Sequence, residues 1–350
     1  MITSLRLQNF RSYIDGSFEF DPGVNIVVGP NACGKTNLLE AVLVLARGGS
    51  YRAKDVELIT SHHEWARLDG FFESENRSVK YQNLPTGLIK SFTLDDKPLI
   101  RLPLEKTVPV VLFEPNDLQL LIRGPEQRRE YIDSLLEQSQ STYKALKNNY
   151  KRVVAQRNTL LKQRGILKDQ FFVWNIRLSE LGGKIVEARG DLIKEINQNI
   201  SKNYSSIAKQ KSDVKLRYQT DLPLDNYSSS LLKKLETDVE KDKLRGFTAY
   251  GPHREDILFT LNGEQAEKTA SRGETRTILL ALKIFELDLL EKRRGKKPIL
   301  LLDDVFSELD GSRRRYLVEF LKDHQTIITT TDADAVVAHF TKGYNLIAVN

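Results

Sequence analysis

The chain has 350 residues, 40% of them apolar and 29% charged, with a formal net charge of +6. That length supports two or three domains with ample core. No apolar run reaches the 18 residues of a membrane-spanning helix. The first twenty residues alternate apolar and charged side chains, so no signal peptide and no membrane partner are expected. One cysteine, Cys33, excludes an internal disulfide and fits a reducing, cytoplasmic setting. Five histidines and that cysteine form no zinc-binding pattern.

Residues 1–60 read as strand, strand, loop, helix and connecting loop. Within them, Gly29-Pro30-Asn31-Ala32-Cys33-Gly34-Lys35-Thr36 fits G-x-x-x-x-G-K-[ST] between an apolar strand and an amphipathic helix. Backbone N–H groups in such a loop point inward, and the helix N-terminus adds positive potential, so polyphosphate binds there. Lys35 is expected at the β- and γ-phosphates, and Thr36 at Mg²⁺ through its hydroxyl. Cys33 reads as a small space-filler at a variable loop position.

Residues 65–113 hold short alternating apolar runs, ending in VPVVLF, that predict an antiparallel β-subdomain. Residues 126–220 are mainly helical in pattern. Tyr143, Leu146, Tyr150 and Val153, and later Leu178, Leu181, Ile185, Ala188 and Leu192, recur at spacings of three and four, which predicts a short antiparallel helical hairpin. From Gln138 to Lys168 there is no acidic residue, but eight basic ones: Lys144, Lys147, Lys151, Arg152, Arg157, Lys162, Arg164 and Lys168. Lys144, Lys147 and Lys151 fall at i, i+3 and i+7 and are read as one helix face. Either this is a solvated face, or Lys144, Lys147, Lys151 and Arg152 bind a phosphate backbone in a salt-sensitive, sequence-independent way. Residues 221–230 read as a loop, after which the chain returns to the first domain near residue 245.

Residues 298–310, PILLLDDVFSELD, read as a strand buried on both faces and ending in two carboxylates. This is a Walker B element: Asp303 assists Mg²⁺ and Asp304 polarises the attacking water. Ser271-Arg272-Gly273-Glu274-Thr275-Arg276 opens a helical run, with Ser271 as its N-cap. In order with Walker A and Walker B, it resembles the signature of ABC-type ATPases. There the signature acts in trans, so Ser271, Gly273 and Glu274 would serve a γ-phosphate held by a second subunit.

The chain also resembles the RecF family of recombination-repair proteins. The resemblance rests on Leu5-Arg6-Leu7-Gln8-Asn9-Phe10-Arg11-Ser12-Tyr13, Phe113-Glu114-Pro115-Asn116-Asp117-Leu118 and the stretch from Gly124 to Asp133. Tyr250-Gly251-Pro252-His253-Arg254-Glu255-Asp256, the Walker B run and Thr329-Thr330-Thr331-Asp332 complete it in order. Three departures from ABC-type patterns stand out: Glu274 replaces the usual Gln of the signature, Asp304 stands where most carry Glu, and Glu114 to Asp117 occupy the place of a Gln loop. Which group of that stretch meets Mg²⁺ is left open.

The resemblance implies an α/β fold: an ABC-type P-loop ATPase head with an antiparallel β-subdomain and an inserted α-helical lobe. Its expected segments are 1–125, 126–244 and 245–350. Nucleotide would meet Arg11, Gly29, Pro30, Asn31, Ala32, Cys33, Gly34, Lys35, Thr36 and Asn37. Plain surface charge is the competing reading for Arg6 and Arg11. Thr330 and Thr331 are either a γ-phosphate switch or a strand-end cap, and His253 with Arg254 has no derived role beyond bracing a loop. The implied function is slow, DNA-dependent ATP hydrolysis with ATP and Mg²⁺. ATP would drive a homodimer that clamps double-stranded or gapped DNA and helps recombinase loading with RecR and RecO. An ATP-binding transporter subunit shares the head motifs, but needs no acid-free basic helix.

Overall fold

Alternation along the first strand sets the first sheet. In β1 (Ile2–Phe10), Ile2, Leu5 and Leu7 are buried while Arg6 is exposed. It forms a hairpin with β2 (Tyr13–Glu19). β3 (Val24–Val28) is followed by the loop and by α1 (Lys35–Arg47). Then come β4 (Trp65–Phe72), β5 (Glu75–Leu84), β6 (Gly87–Leu94) and β7 (Lys97–Leu99). The antiparallel sheet runs β2-β1-β4-β5-β6-β7, so the expected β-subdomain is present and takes in the first hairpin. β8 (Val110–Phe113) departs from that expectation: it pairs in parallel with a strand near the far end of the sequence. Its unbroken apolar run, with Val110, Val111 and Phe113 buried, suits a parallel sheet covered on both faces.

The computed structural model describes residues 1–73, 75–163, 165, 167–340 and 343–349. They form two units: Met1–Leu118 with Glu286–Asn350, and Gln119–Phe285. The second holds α2 (Pro125–Ser139), α3 (Tyr143–Leu161) and the 37-residue α4 (Phe172–Ala208). Arg157 meets Asn175, and a side chain added at Gly182 would meet Tyr150, so α3 and α4 run antiparallel as the spacing predicted. Tyr143, Tyr150, Leu178, Leu181, Ile185 and Leu192, from the predicted repeat, are buried. Within the stretch read as helical, β9 (Val214–Gln219) is a strand, alternating Val214, Leu216 and Tyr218 inward. It is followed by α5 (Tyr227–Thr237), which begins inside the expected loop, and by α6 (Val239–Arg245). β10 (Asp256–Leu261) pairs with β9 and with β11 (Glu264–Gln265), and α7 (Ala266–Thr269) follows.

α8 (Arg272–Arg294) leads to β12 (Ile299–Asp303), α9 (Val305–Glu308), α10 (Gly311–Leu321), β13 (Thr326–Thr330), α11 (Ala333–Val337) and β14 (Tyr344–Ala348). The parallel sheet runs β14-β3-β13-β12-β8. Residues of α1, of the antiparallel sheet and of the parallel sheet share one core in the first unit. α1 is therefore apolar nearly all round, buried from Leu38 to Ala46. Glu40, in the middle of that run, is the exception that calls for a partner.

Candidate functional site

Parallel strands end at the same side of a sheet, and here the ends of β3 and β12 bring Walker A to Walker B. The loop after β3 is built for close approach. A Cβ at Gly29 would lie 2.2 Å from the Val349 carbonyl oxygen, and Gly34 has φ +109°, where a side chain is strained. Lys35 Nζ donates to the Gly29 and Pro30 carbonyls at 2.7 and 2.8 Å, turning the ammonium across the loop. The Thr36 hydroxyl donates to Asp303 Oδ1 at 3.0 Å. Asn31, Lys35, Thr36, Asn37, Asp303 and Asp304 line a cleft of ≈ 320 Å³, with Pro115, Ala32 and Gly34 also on its wall.

Asp304 sits in left-handed backbone at φ 52°. Burial pushes its carboxyl above its ordinary value and neighbouring Asp303 adds to this, while Lys35 opposes it. A raised carboxyl beside a phosphate site suits a proton acceptor. Thr36 and Asp303 offer hard oxygen donors, which fit Mg²⁺. Among the described residues no group of three or more His, Cys, Asp or Glu could hold a metal, so phosphate and water must complete such a shell. Glu114 N donates to Asp117 Oδ2 at 3.0 Å. Burial, then the Glu114 carboxylate, push the neighbouring Tyr51 hydroxyl up.

Arg11 is committed to Glu40. Its Nε and Nη2 donate to the two carboxylate oxygens at 2.8 and 2.9 Å, and Nη1 donates to Glu57 O at 3.0 Å. Arg52 Nη2 and Ser50 Oγ donate to the same carboxylate at 2.9 and 2.5 Å. Burial alone would raise Glu40, but these partners outweigh it and hold it low. Arg52 also donates to the Asn37 amide oxygen at 2.7 Å, so the cluster reaches the first turn of α1. Plain surface charge thus describes Arg6, which pairs with exposed Asp15 at 3.4 Å, and not Arg11. The sequence reading missed Arg52 and Glu40. A lone Glu in LLEAVLVLA was the available signal.

Thr329, also missed, donates to Asp303 Oδ1 at 2.7 Å. Thr330 instead turns its hydroxyl to the Asp332 backbone, donating at 3.0 Å and accepting at 3.1 Å, which is a strand-end cap. In the second unit, Ser271 and Glu274 form a reciprocal capping box: Ser271 N donates to Glu274 Oε2 at 2.8 Å, and Glu274 N to Ser271 Oγ at 3.3 Å. A Glu at this position therefore closes the cap that a Gln would close. These bonds hold its carboxyl low.

The motif pair around Arg128 and His253 interlocks inside the second unit. Arg128 donates to both oxygens of Asp256 at 2.9 and 2.8 Å. The Tyr150 hydroxyl lies 2.7 Å from His253 Nδ1, and His253 Nε2 lies 3.1 Å from Thr248 O. Burial lowers this imidazole to about 4, so it is neutral near pH 7. The carbonyl partner then assigns the proton to Nε2, and Nδ1 accepts from Tyr150. His253 thus braces the loop before β10.

The family model for the RecF/RecN/SMC N-terminal domain matches residues 1–346. The DNA replication and repair protein RecF of Lachnoclostridium phytofermentans is 35% identical over 343 residues, covering 96% of this chain and 94% of its own length. RecF of Symbiobacterium thermophilum is 35% identical over 363 residues, with 99% and 96% covered. This chain belongs to the RecF family. A RecF–ATP structure from the RecFOR pathway aligns with TM-score 0.83 at 29% identity, covering 95% of this chain and 92% of that one. A RecF–ATPrS structure aligns with TM-score 0.88 at 28% identity, covering 100% and 96%. An Smc head bound to the C-winged helix domain of ScpA, at 18% identity and TM-score 0.54, with 97% and 91% covered, shares the fold alone. The ABC-type head fold is therefore that of RecF proteins.

The basic helix of this RecF-family chain is α3, and its charges divide in two. Lys144, Lys151 and Arg152 are exposed. Lys147 stands beside Lys144 and Lys151 but turns inward. It is buried and meets Glu137 at 2.8 Å, Glu130 at 3.1 Å and Asp133 at 3.7 Å. These α2 carboxylates draw it inward, so Lys147 is removed from the candidate phosphate contacts. Arg157 is fully buried against Asp242 at 2.7 Å. Lys162 and Lys168 are exposed, and Arg164 lies outside the described residues.

Proposed function

We propose that this chain is an ATP-dependent DNA-binding protein of replication and recombinational repair, acting in the cytoplasm. The observation that carries the reading is the hydrogen bond from Thr36 to Asp303, which joins Walker A to Walker B in a chain of the RecF family. Residues 29–37 cradle the phosphates of ATP, Lys35 neutralises their charge, and Thr36 with Asp303 holds Mg²⁺. Asp304 positions the attacking water and takes its proton. Arg11, with Arg52, lies beside the loop on Glu40, where the pair adds positive potential next to the bound nucleotide. The α/β head is split along the chain, since Walker A and Walker B come from opposite ends.

Ser271, Gly273 and Glu274 serve the γ-phosphate of a second copy, so ATP joins two heads and hydrolysis releases them. The place of Ser271 and Gly273 at the N-terminus of α8 supports this role, because helix N-termini favour anions. Lys144, Lys151 and Arg152 meet the phosphate backbone of double-stranded or gapped DNA. RecR, with RecO, is the expected partner in recombinase loading, as in the RecFOR pathway of the RecF structures. Family membership favours this reading over a transporter subunit.

Fluorescence anisotropy of labelled gapped duplex, with ATP and without, tests the proposal. Tighter binding with ATP that weakens as salt rises is expected. Equal binding in both states, or none at low salt, overturns it.

A further inference from the structure

Thr329 lies on β13, fully buried, between the Walker B strand and the strand that feeds the P-loop. Its neighbours in register are Asp303 on β12 and Val27 on β3. Its hydroxyl touches both Walker B residues. Oγ1 lies 2.7 Å from Asp303 Oδ1 and accepts from the Asp304 N–H at 3.0 Å. A threonine hydroxyl has one proton and two lone pairs. The proton goes to the carboxylate, and a lone pair faces the amide.

Asp303 Oδ1 thus accepts from Thr36 at 3.0 Å and Thr329 at 2.7 Å. Two donated bonds fill the lone pairs of that oxygen. They fix the carboxylate rotation and leave Oδ2 for a metal-bound water. The other bond pins the backbone of Asp304, which is held at φ 52° without the freedom of glycine. One buried hydroxyl therefore sets the aim of the metal-assisting carboxylate and of the water-positioning residue together.

We propose that Thr329 is a positioning residue for ATP hydrolysis, acting through Asp303 and Asp304. This rests on the roles assigned to those carboxylates above. Thr329 needs no contact with nucleotide. A purely structural role would leave the metal dependence of nucleotide binding untouched, and that difference is measurable.

The experiment compares Thr329→Val, Thr329→Ser and Asp303→Asn in the full chain, using a fluorescent ATP analogue titrated with Mg²⁺. Valine matches threonine in shape, and the Asp304 N–H keeps the Thr329 carbonyl at 3.2 Å, so the fold has reason to survive. Partners that orient a metal ligand typically change affinity or activity by about 10-fold or more. Thr329→Val should raise the Mg²⁺ midpoint and lower the hydrolysis rate by about that factor, with metal-free analogue affinity unchanged. Thr329→Ser, which keeps the hydroxyl, should restore both. Unchanged Mg²⁺ dependence in Thr329→Val, beside a shifted Asp303→Asn, overturns the role of Thr329 alone. A Thr329→Val defect in metal-free binding and Tm that serine does not rescue marks the residue as structural and also overturns it. Unchanged Mg²⁺ dependence in Asp303→Asn overturns the underlying reading of the carboxylates, and the proposal with it.

Discussion

The nucleotide cleft and the interior of the helical unit both bury charge, but they complete it differently. In the cleft, burial pushes Asp304 up and a second carboxylate adds to the effect. Lys35 is held by loop carbonyls, which phosphate oxygens can replace. In the helical unit Asp133 and Arg157 are matched by partners of opposite charge. Arg189 donates to both oxygens of Asp133 at 2.8 and 3.0 Å and to Pro252 O at 2.7 Å. Burial alone would raise Asp133, but Arg189 and Lys147 hold it low. Arg157 meets Asp242, Asn175 and Thr248 at 2.7, 2.8 and 2.8 Å. A carboxylate left raised beside another is poised for proton transfer, whereas one enclosed by guanidinium fixes a core.

The largest test of that contrast is Asp304→Asn. Losing a general base typically costs about 100-fold or more in rate, so phosphate release should fall by that order while ATP binding and Tm stay unchanged. The raised carboxyl adds a pH signature: wild-type hydrolysis should climb as Asp304 ionises, at higher pH than an ordinary aspartate would. Equal losses in binding and rate would place Asp304 with the structural carboxylates.

Arg157→Ala is the opposite case. Removing one partner of a buried pair costs about 3–5 kcal/mol, because the other charge is left uncompensated. Asp242 has no exposed side-chain surface with which to recover hydration. Urea unfolding should show this loss, with ATP affinity of the folded protein unchanged. A cost under about 1 kcal/mol, ordinary for an exposed pair, would break the contrast.

His253 gives a smaller, pH-dependent version of the same test. Its folded value is depressed to about 4, below the ordinary value for imidazole. The unfolded chain therefore binds the extra proton first as pH falls. Stability from the neutral ring is present above about pH 6.5 and is lost progressively toward about pH 4. Between about pH 7 and pH 5 wild type should lose about 2 kcal/mol more than His253→Asn in urea unfolding. Parallel pH profiles for the two proteins would remove His253 from the brace.

What was legible in the sequence was local. The P-loop, the Walker B strand and the Ser271 N-cap each span a few residues whose geometry follows from their spacing. The hidden features join distant positions. Thr36 meets Asp303 across 267 residues and Thr329 meets it across 26. β8 was grouped with the nearer hairpins because nothing in four residues names the sheet they join. Lys147 was misplaced for a different reason. Three residues advance a helix by about 300°, about 60° the other way, so Lys147 stands beside Lys144 but nearer the buried stripe. It stands four residues after Tyr143 and three before Tyr150, both buried, on the stripe that packs inward.

That division of α3 yields the finest test, because neighbouring lysines should fail in different assays. Lys144→Ala, Lys151→Ala and Arg152→Ala remove exposed charges. If each meets one phosphate, each should lower the slope of log affinity against log salt by about 0.9, with little change in stability. Lys147→Ala removes a buried ammonium from among Glu130, Asp133 and Glu137. Burial works against that charge, but the carboxylates hold it above its ordinary value. Its loss leaves acidic groups close together, so the variant should unfold at lower urea while its salt slope matches wild type. A changed slope in Lys147→Ala at full stability would return this residue to the DNA-facing surface. Unchanged slopes in the other three would move DNA binding off α3, since exposed arginine or lysine that touches phosphate must release counterions.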